Sequence, residues 1–360
     1  MEEFSCKTRI ISGSGTVSIL GTLGARRLFL VTDPYFMKNG TAQRVAESAK
    51  CGQVEIFDRV RPDPTVELAA EGTAKLKTFD PDLVVALGGG SAMDCAKAMS
   101  WFSKGNHTLA AIPTTSGSGS EVTDFAVLTH NKVKHPLVDR GLRPDIAILD
   151  SDLLQDLPRS LIADSGFDVL AHAVESYVAR DSGSVSDLYA REAFSNAYAA
   201  LPASWAGNRN VRLKVHLAAT MAGMAFTHAG LGLCHAMSHA IGGMFHVSHG
   251  KLNAILLPSV ISCNAHVAGR KYAELARAAG IGGSADTVAV RNLKNSLVRL
   301  RRELNLPETL AQAGISPALV WQNARELVEA VLADPCCGSN PMAVEDFVVR
   351  RILEEVTGRV

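Results

Sequence analysis

The sequence predicts an α/β amino-terminal half with a mostly parallel, doubly wound, Rossmann-like sheet, followed by an all-α carboxy-terminal half. Three observations carry this. Across the first 150 residues, short β-branched runs alternate with segments of helical periodicity, the signal of βαβ units. Past Leu157 and Pro158 the texture changes to long stretches rich in Ala, Leu and Met, with almost no period-two alternation. At about 150 residues per domain, 360 residues suit two domains, 1–157 and 158–360.

The strands are expected at residues 28–32, 53–57, 83–87, 109–112 and 146–149, with helices at 41–50, 65–79 and 92–102 between them. In the second half, residues 160–180, 184–201, 211–228, 234–244 and 288–304 are long enough for bundle helices. Residues 334–341 read as a loop of uninformative chemistry before a last amphipathic helix at 344–357. Residues 4–20 alternate around Gly13 and Gly15, which predicts a hairpin whose edge pairs with a second subunit to make a homodimer.

Thirty-six basic residues balance thirty-six acidic ones, so the charge gives no footprint for nucleic acid or an anionic membrane, and the expected ligand is small. Uninterrupted apolar runs such as 254–258 fall far short of the ~20 residues of a membrane span. The start, Met1-Glu2-Glu3-Phe4, has no basic segment leading into an apolar one, which makes the cytoplasm the expected location. Seven cysteines form no Cys-x-x-Cys pair and are expected as free thiols.

The run at 83–87 leads into Gly88-Gly89-Gly90-Ser91 and then a helix. A strand ending in glycines at a helix start exposes backbone N–H groups to an anion, where the helix dipole also favours negative charge. A pyrophosphate fits there; the plainer reading is a capping box variant of Ser91 with Asp94. Both readings can hold together, and Asp94 is counted with Ser91 among the cofactor contacts. A second loop of hydroxyls and glycines, Thr114 to Ser120, follows the next strand. Asp33 closes the first βα strand, where a carboxylate accepts from a ribose hydroxyl and repels a 2′-phosphate, favouring NAD over NADP. Equally, Asp33 can simply cap the helix that Pro34 begins. An acid that precedes the glycines departs from the usual dinucleotide fingerprint.

Six of eleven histidines lie between His228 and His266, four of them within 235–249. His235 and His239 are i, i+4, as are Asp168 and His172, so each pair shares one helical face. Two such pairs on facing helices can converge on a first-row divalent ion; imidazole and carboxylate suit Fe(II) or Zn. In one unbroken helix His235 and His249 would stand about 21 Å apart, so a bend is required, and Gly242-Gly243 can supply it. His216, His228 and His266 read as satisfied core residues, and His246 as a wall of the site.

These segments together resemble the iron-dependent (group III) alcohol dehydrogenase family. The motifs occur in its order: residues 88–97 (GGGSAMDCAK), 112–123 (IPTTSGSGSEVT), 144–150 (PDIAILD), 166–175 (GFDVLAHAVE) and 230–250 (GLGLCHAMSHAIGGMFHVSHG). Residues 4–9, 62–65 and 101–103 are similar to the propanol dehydrogenases of propanediol-utilising bacterial microcompartments. The resemblance implies that Asp168, His172, His235 and His249 bind the catalytic metal, usually Fe(II), and that His239 handles a proton beside the nicotinamide. It implies cofactor contacts from Asp33, Gly89, Gly90, Ser91, Thr114, Thr115, Ser118 and Lys134. The implied activity is NAD(H)-linked interconversion of short-chain aldehydes and primary alcohols, with propanal and 1-propanol foremost, in the cytoplasm or inside a microcompartment with shell or cargo partners. Glycerol or diol dehydrogenases and the metal-dependent lyase dehydroquinate synthase share the fold and are the alternatives; the synthase needs a cationic cleft that these Leu-, Met-, Phe- and Ala-rich helices lack. Phe167, Ala171, Ser118 and Lys251-Leu252 depart from the family pattern, which bears on pocket shape.

Overall fold

The computed structural model describes residues 3–131 and 133–358. It divides into two compact units, Ser5–Leu157 and Pro158–Val360, with Phe4 joining the second.

In the first unit the elements run β1 (Arg9–Gly13), β2 (Arg27–Val31), α1 (Pro34–Lys38), α2 (Thr41–Ser48), β3 (Gln53–Phe57), α3 (Val66–Phe79), β4 (Leu83–Gly88), α4 (Gly90–Ser103), β5 (Thr108–Pro113), β6 (Phe125–His130), β7 (Val133–Val138) and β8 (Ile146–Asp150). Six strands form one parallel sheet in the order β1-β8-β5-β4-β2-β3. Because successive side chains alternate faces, Leu28, Leu30, Val85 and Ile148 pack with Val45 and Leu20 on one side. Phe29, Val31, Val84 and Ala86 pack with Leu76, Met93 and Met99 on the other. Both faces are covered, which is why these strands read as continuous apolar runs. The five expected strands are present within one residue at each end.

Three expectations change. Residues 4–20 form no hairpin: β1 pairs in parallel with β8 of its own chain, and a 3-10 helix (Thr16–Thr22) follows. Asp150 closes that turn by accepting from the N–H groups of Gly15 and Val17 at 3.1 and 2.9 Å. The hairpin basis for a dimer is thereby removed. β6 and β7, not foreseen, make a separate antiparallel pair. Ser91 is not a helix cap: Gly89 caps α4, and Ser91 is already inside it.

The second unit is helical: α5 (Arg159–Val178), α6 (Ser184–Trp205), α7 (Arg212–Ala229), α8 (Leu233–Phe245), α9 (His249–Ala278), α10 (Asp286–Glu303), α11 (Pro317–Gln322), α12 (Ala324–Ala333), α13 (Cys336–Ser339) and α14 (Asp346–Thr357). α9, 30 residues long, was missing from the expected set. It contains Pro258, which cannot donate to the carbonyl of Ala254; Arg301 of α10 donates to that oxygen instead, at 3.1 Å. Among the described residues α9 is long and apolar enough to cross a membrane, but 61% of its apolar window is buried within the protein, as for a core helix.

The expected bend at Gly242-Gly243 does not occur, since α8 runs through both glycines. The chain turns three residues later, at His246, which takes a left-handed conformation (φ 56°) and is exposed. His216 is buried as expected, but His228 is half-buried against Phe4 and His266 is exposed. All seven cysteines are free.

Phe29 is fully buried, with the Phe57 and Phe79 rings 6.4 and 6.1 Å from its own. Phe29→Ala should cost about 3–5 kcal/mol, read as a lowered urea midpoint with unchanged slope; a loss under about 1 kcal/mol would show that this face of the sheet is not closely packed.

Candidate functional site

In the helical unit, α5, α8 and α9 bring a donor cluster together. Asp168 and His172 stand one turn apart on α5, and His235 lies in the first turn of α8. Ligand atoms of these three residues lie within 4.8 Å of one another. His172 is stacked between His235 and Phe226, at 4.5 and 4.6 Å between ring centroids. His249 opens α9; it is close enough for its charge to bear on Asp168, but its ligand atom lies outside the 4.8 Å group. The His246–Ser248 turn that delivers it leads into Gly250, where a Cβ would stand 1.8 Å from the Asp164 carbonyl oxygen. Only glycine lets α9 start so close to α5.

The orientation of His235 is fixed by a residue to which the sequence reading gave no role. Glu175, 3% exposed, takes the Nδ1–H of His235 at 2.6 Å, which leaves Nε2 as the ligand atom. The same carboxylate accepts from the N–H groups of Cys234 and His235, at 2.6 and 3.2 Å, and so caps α8 where its dipole favours negative charge. Asn340 accepts from Leu233 N at 3.2 Å. On the other side, Asn253 donates from Nδ2 to Asp168 Oδ1 at 2.7 Å. The Asn253 amide is itself oriented, its oxygen accepting from Ser238 Oγ and Cys234 Sγ.

These contacts set the charge states. Burial opposes ionisation of Asp168, yet His172 and His235 beside it hold its carboxyl well below the usual carboxylate range. Burial likewise opposes charge on His235, but the bonds to Asp168 and Glu175 outweigh it and push the imidazole up to about 9. A carboxylate kept ionised beside two imidazoles, with Nδ1 of His235 held by Glu175, is a donor set that suits a divalent first-row ion.

His239, one turn beyond His235, has its ring 6.1 Å from His235 and 5.1 Å from His249. Its Nδ1 bonds Asp334 Oδ2 at 2.8 Å, and Asp334 Oδ1 accepts from Cys336 N at 2.8 Å. Burial raises the Asp334 carboxyl, but its bond to His239 brings it below the ordinary value. The loop at 334–341, taken as uninformative, thus supplies the partner of His239.

In the α/β unit, β2 and β4 are neighbours, and the chain winds outward from them in opposite directions, to β3 and to β5. That switch point is where open α/β sheets bind ligands. Gly88 ends β4 at φ 148°, where a Cβ would come within 2.7 Å of that of Ala92. Cβ atoms at Gly89 and Gly90 would lie 3.3 Å from Thr115 Oγ1 and 3.2 Å from Ser118 Cβ, so the two loops lie side by side. Thr114 N donates to Gly88 O at 2.9 Å. The first N–H groups of α4 have no partner within the helix, which leaves an anion cradle.

Asp33 does cap α1: its Oδ1 accepts from Tyr35 N and Phe36 N at 2.8 and 3.4 Å. Its Oδ2 points toward Gly88, 3.7 Å from where a Cβ would be. Lys134 is ion-paired with Asp63 at 2.8 Å. Asp94, half-buried, accepts from Ser120 Oγ at 2.7 Å and Val127 N at 3.1 Å, so each of its oxygens has a partner within the unit.

Residues 7–151 match the iron-containing alcohol dehydrogenase family, and residues 162–357 match the carboxy-terminal region of the Fe-containing alcohol dehydrogenase family. The chain is 36% identical to the 1-propanol dehydrogenase PduQ of Citrobacter freundii, covering 99% of this chain and 100% of that one. It is 34% identical to the NADPH-dependent butanol dehydrogenase of Clostridium saccharobutylicum, covering 98% and 97%. The structure is similar to a sulfoacetaldehyde reductase from Bifidobacterium kashiwanohense, solved in complex with NAD+, with a TM-score of 0.89 and 25% identity, covering 99% and 98%. The protein therefore belongs to the iron-containing alcohol dehydrogenase family and is an oxidoreductase.

If Glu175 sets the ligand tautomer of His235, Glu175→Gln should weaken iron binding about 10- to 100-fold in a chelator competition. Unchanged affinity would show that the bond only caps α8.

Proposed function

We propose that the protein is an Fe(II)-dependent, NAD(H)-linked alcohol dehydrogenase that interconverts short-chain aldehydes and primary alcohols, propanal and 1-propanol being the pair to test first. The observation that carries this reading is the cluster of Asp168, His172 and His235, with the tautomer of His235 locked by Glu175. His249, at the start of α9, is the fourth residue proposed to hold the ion. When bound, Fe(II) supplies a Lewis acid for the substrate oxygen and NAD(H) supplies the hydride.

The chain's own residues do the rest. Asp168 stays ionised and contributes the negative charge of the donor set. Glu175 fixes the His235 ring and Asn253 the Asp168 carboxylate. Reducing an aldehyde consumes one hydride and one proton; His239, its Nδ1 held by Asp334, presents Nε2 to pass that proton. Gly89, Gly90 and Ser91 at the start of α4, with Thr115 and Ser118 alongside, hold the pyrophosphate. Asp33 places a carboxylate just beyond the end of β2, which supports NAD over NADP. The 1-propanol and butanol dehydrogenases among the relatives support a short alcohol.

Incubation of anaerobically iron-loaded protein with NADH and propanal should oxidise NADH; tight nucleotide binding without turnover would contradict the proposal. His235→Ala and His249→Ala should lose iron and activity together, while His239→Ala keeps iron and shifts the pH profile. Full iron retention in all three would overturn the assignment. Asp33→Asn keeps a side chain able to cap α1 but removes the charge, and should raise kcat/KM with NADPH relative to NADH by at least about tenfold; an unchanged ratio would remove Asp33 from nucleotide choice.

A further inference from the structure

We propose that Lys97 is a positioning residue for the nucleotide: from inside the α/β unit its ammonium group holds the turn at residues 118–120 against the start of α4. The inference rests on reading that helix start as the pyrophosphate cradle.

Lys97 is 1% exposed, yet the residues proposed to touch the cofactor leave it without a role. Its Nζ donates to Ser120 O at 3.0 Å, Ser120 Oγ at 3.1 Å and Thr123 Oγ1 at 2.9 Å, which uses all three protons of the ammonium group. Ser120 passes its own hydroxyl proton toward Asp94 Oδ1 at 2.7 Å, and Asp94 Oδ2 accepts from Val127 N on β6. Asp94 and Lys97, three residues apart on one face of α4, therefore grip the same serine. The grip reaches the cradle through Ser118, whose Oγ accepts from Ser120 N at 3.3 Å and whose Cβ would stand 3.2 Å from one placed on Gly90. The hydroxyl beside the proposed phosphate-binding N–H groups is thus fixed by a buried cation on α4, acting through Ser120 two residues further along the loop.

Burial of this cation is not balanced by a simple pair. Asp94 on α4, Glu121 and Asp124 on the loop, and Arg143 ahead of β8 all bear on Lys97; the ring of Phe125 on β6 lies 6.0 Å away, and Lys134 on β7 bears on Asp94. Desolvation is the largest influence and lowers the Lys97 amine to about 8, against the opposing pull of Asp94, Glu121 and Asp124. Below that value the amine is charged and makes all three donations; above it one donor and the charge are lost, and nucleotide binding should weaken.

The test uses NADH fluorescence titration of the iron-loaded protein between about pH 7 and about pH 10. Wild-type affinity should fall through about pH 8. Lys97→Met should bind NADH about 10- to 100-fold more weakly, with a flat profile. Lys97→Arg, which stays charged, should restore binding and extend it to the alkaline end. Iron content and kcat at saturating NADH should stay near wild type, so that KM carries the loss. If Lys97→Met does not fold, Ser120→Ala, which removes an acceptor for Lys97 and the donor to Asp94, and Thr123→Val, which removes an acceptor for Lys97, should each raise KM for NADH. Wild-type affinity in a folded Lys97→Met, or a wild-type profile flat across the range, would overturn the inference. Wild-type protein that binds no NAD(H) at any pH would instead overturn the nucleotide reading beneath it.

Discussion

The bond between Glu175 and His235 is the constraint on which the proposed metal centre depends. An imidazole can offer either nitrogen, and a cage in which the wrong one faces the ion does not form. Glu175 settles the choice, and because the same carboxylate caps α8 it also sets where that helix begins. Ring orientation and helix position are thus one interaction. Removing Glu175 would leave two first-turn N–H groups of α8 and one imidazole N–H buried without acceptors, a cost of about 1–3 kcal/mol for each unsatisfied group.

The proposed nucleotide cradle is built on the opposite principle. There the functional groups are backbone N–H donors, and the side chains that matter are those that keep other atoms away or hold a loop in place. Gly89 and Gly90 admit the neighbouring loop because they lack a Cβ, and Gly88 for the same reason admits Ala92 of α4. Asp94 and Lys97, the polar residues that follow on α4, turn inward and brace that loop from behind.

What could be read from the sequence follows from how local each signal is. Five of the six strands of the sheet were legible, most plainly β2, β4, β5 and β8, whose faces are both buried, and the Asp168–His172 and His235–His239 pairs were legible because i, i+4 spacing is a helix property. Glu175 and Asn253 were legible in principle, lying i+3 from His172 and i+4 from His249, but a structural carboxylate and a structural amide look the same as any other in a sequence. α9 was missed because Pro258 interrupts its reading; the compensating donor, Arg301, lies 47 residues from the Ala254 carbonyl it serves. Asp334 was passed over because its partner His239 is 95 residues distant. Residues 4–20 were misread because β1 pairs with a strand more than 130 residues later, which local alternation cannot show.

The central claim is that one iron ion is held by side chains from α5, α8 and α9. An iron-edge anomalous difference map from crystals of anaerobically loaded protein tests it most directly. One peak is expected, bonded to Asp168, His172, His235 and His249 at about 2.0–2.2 Å. A peak lying instead among His239, Asp334 and Cys336, whose ligand atoms also gather within 4.8 Å, or one bonded without His249, would contradict it.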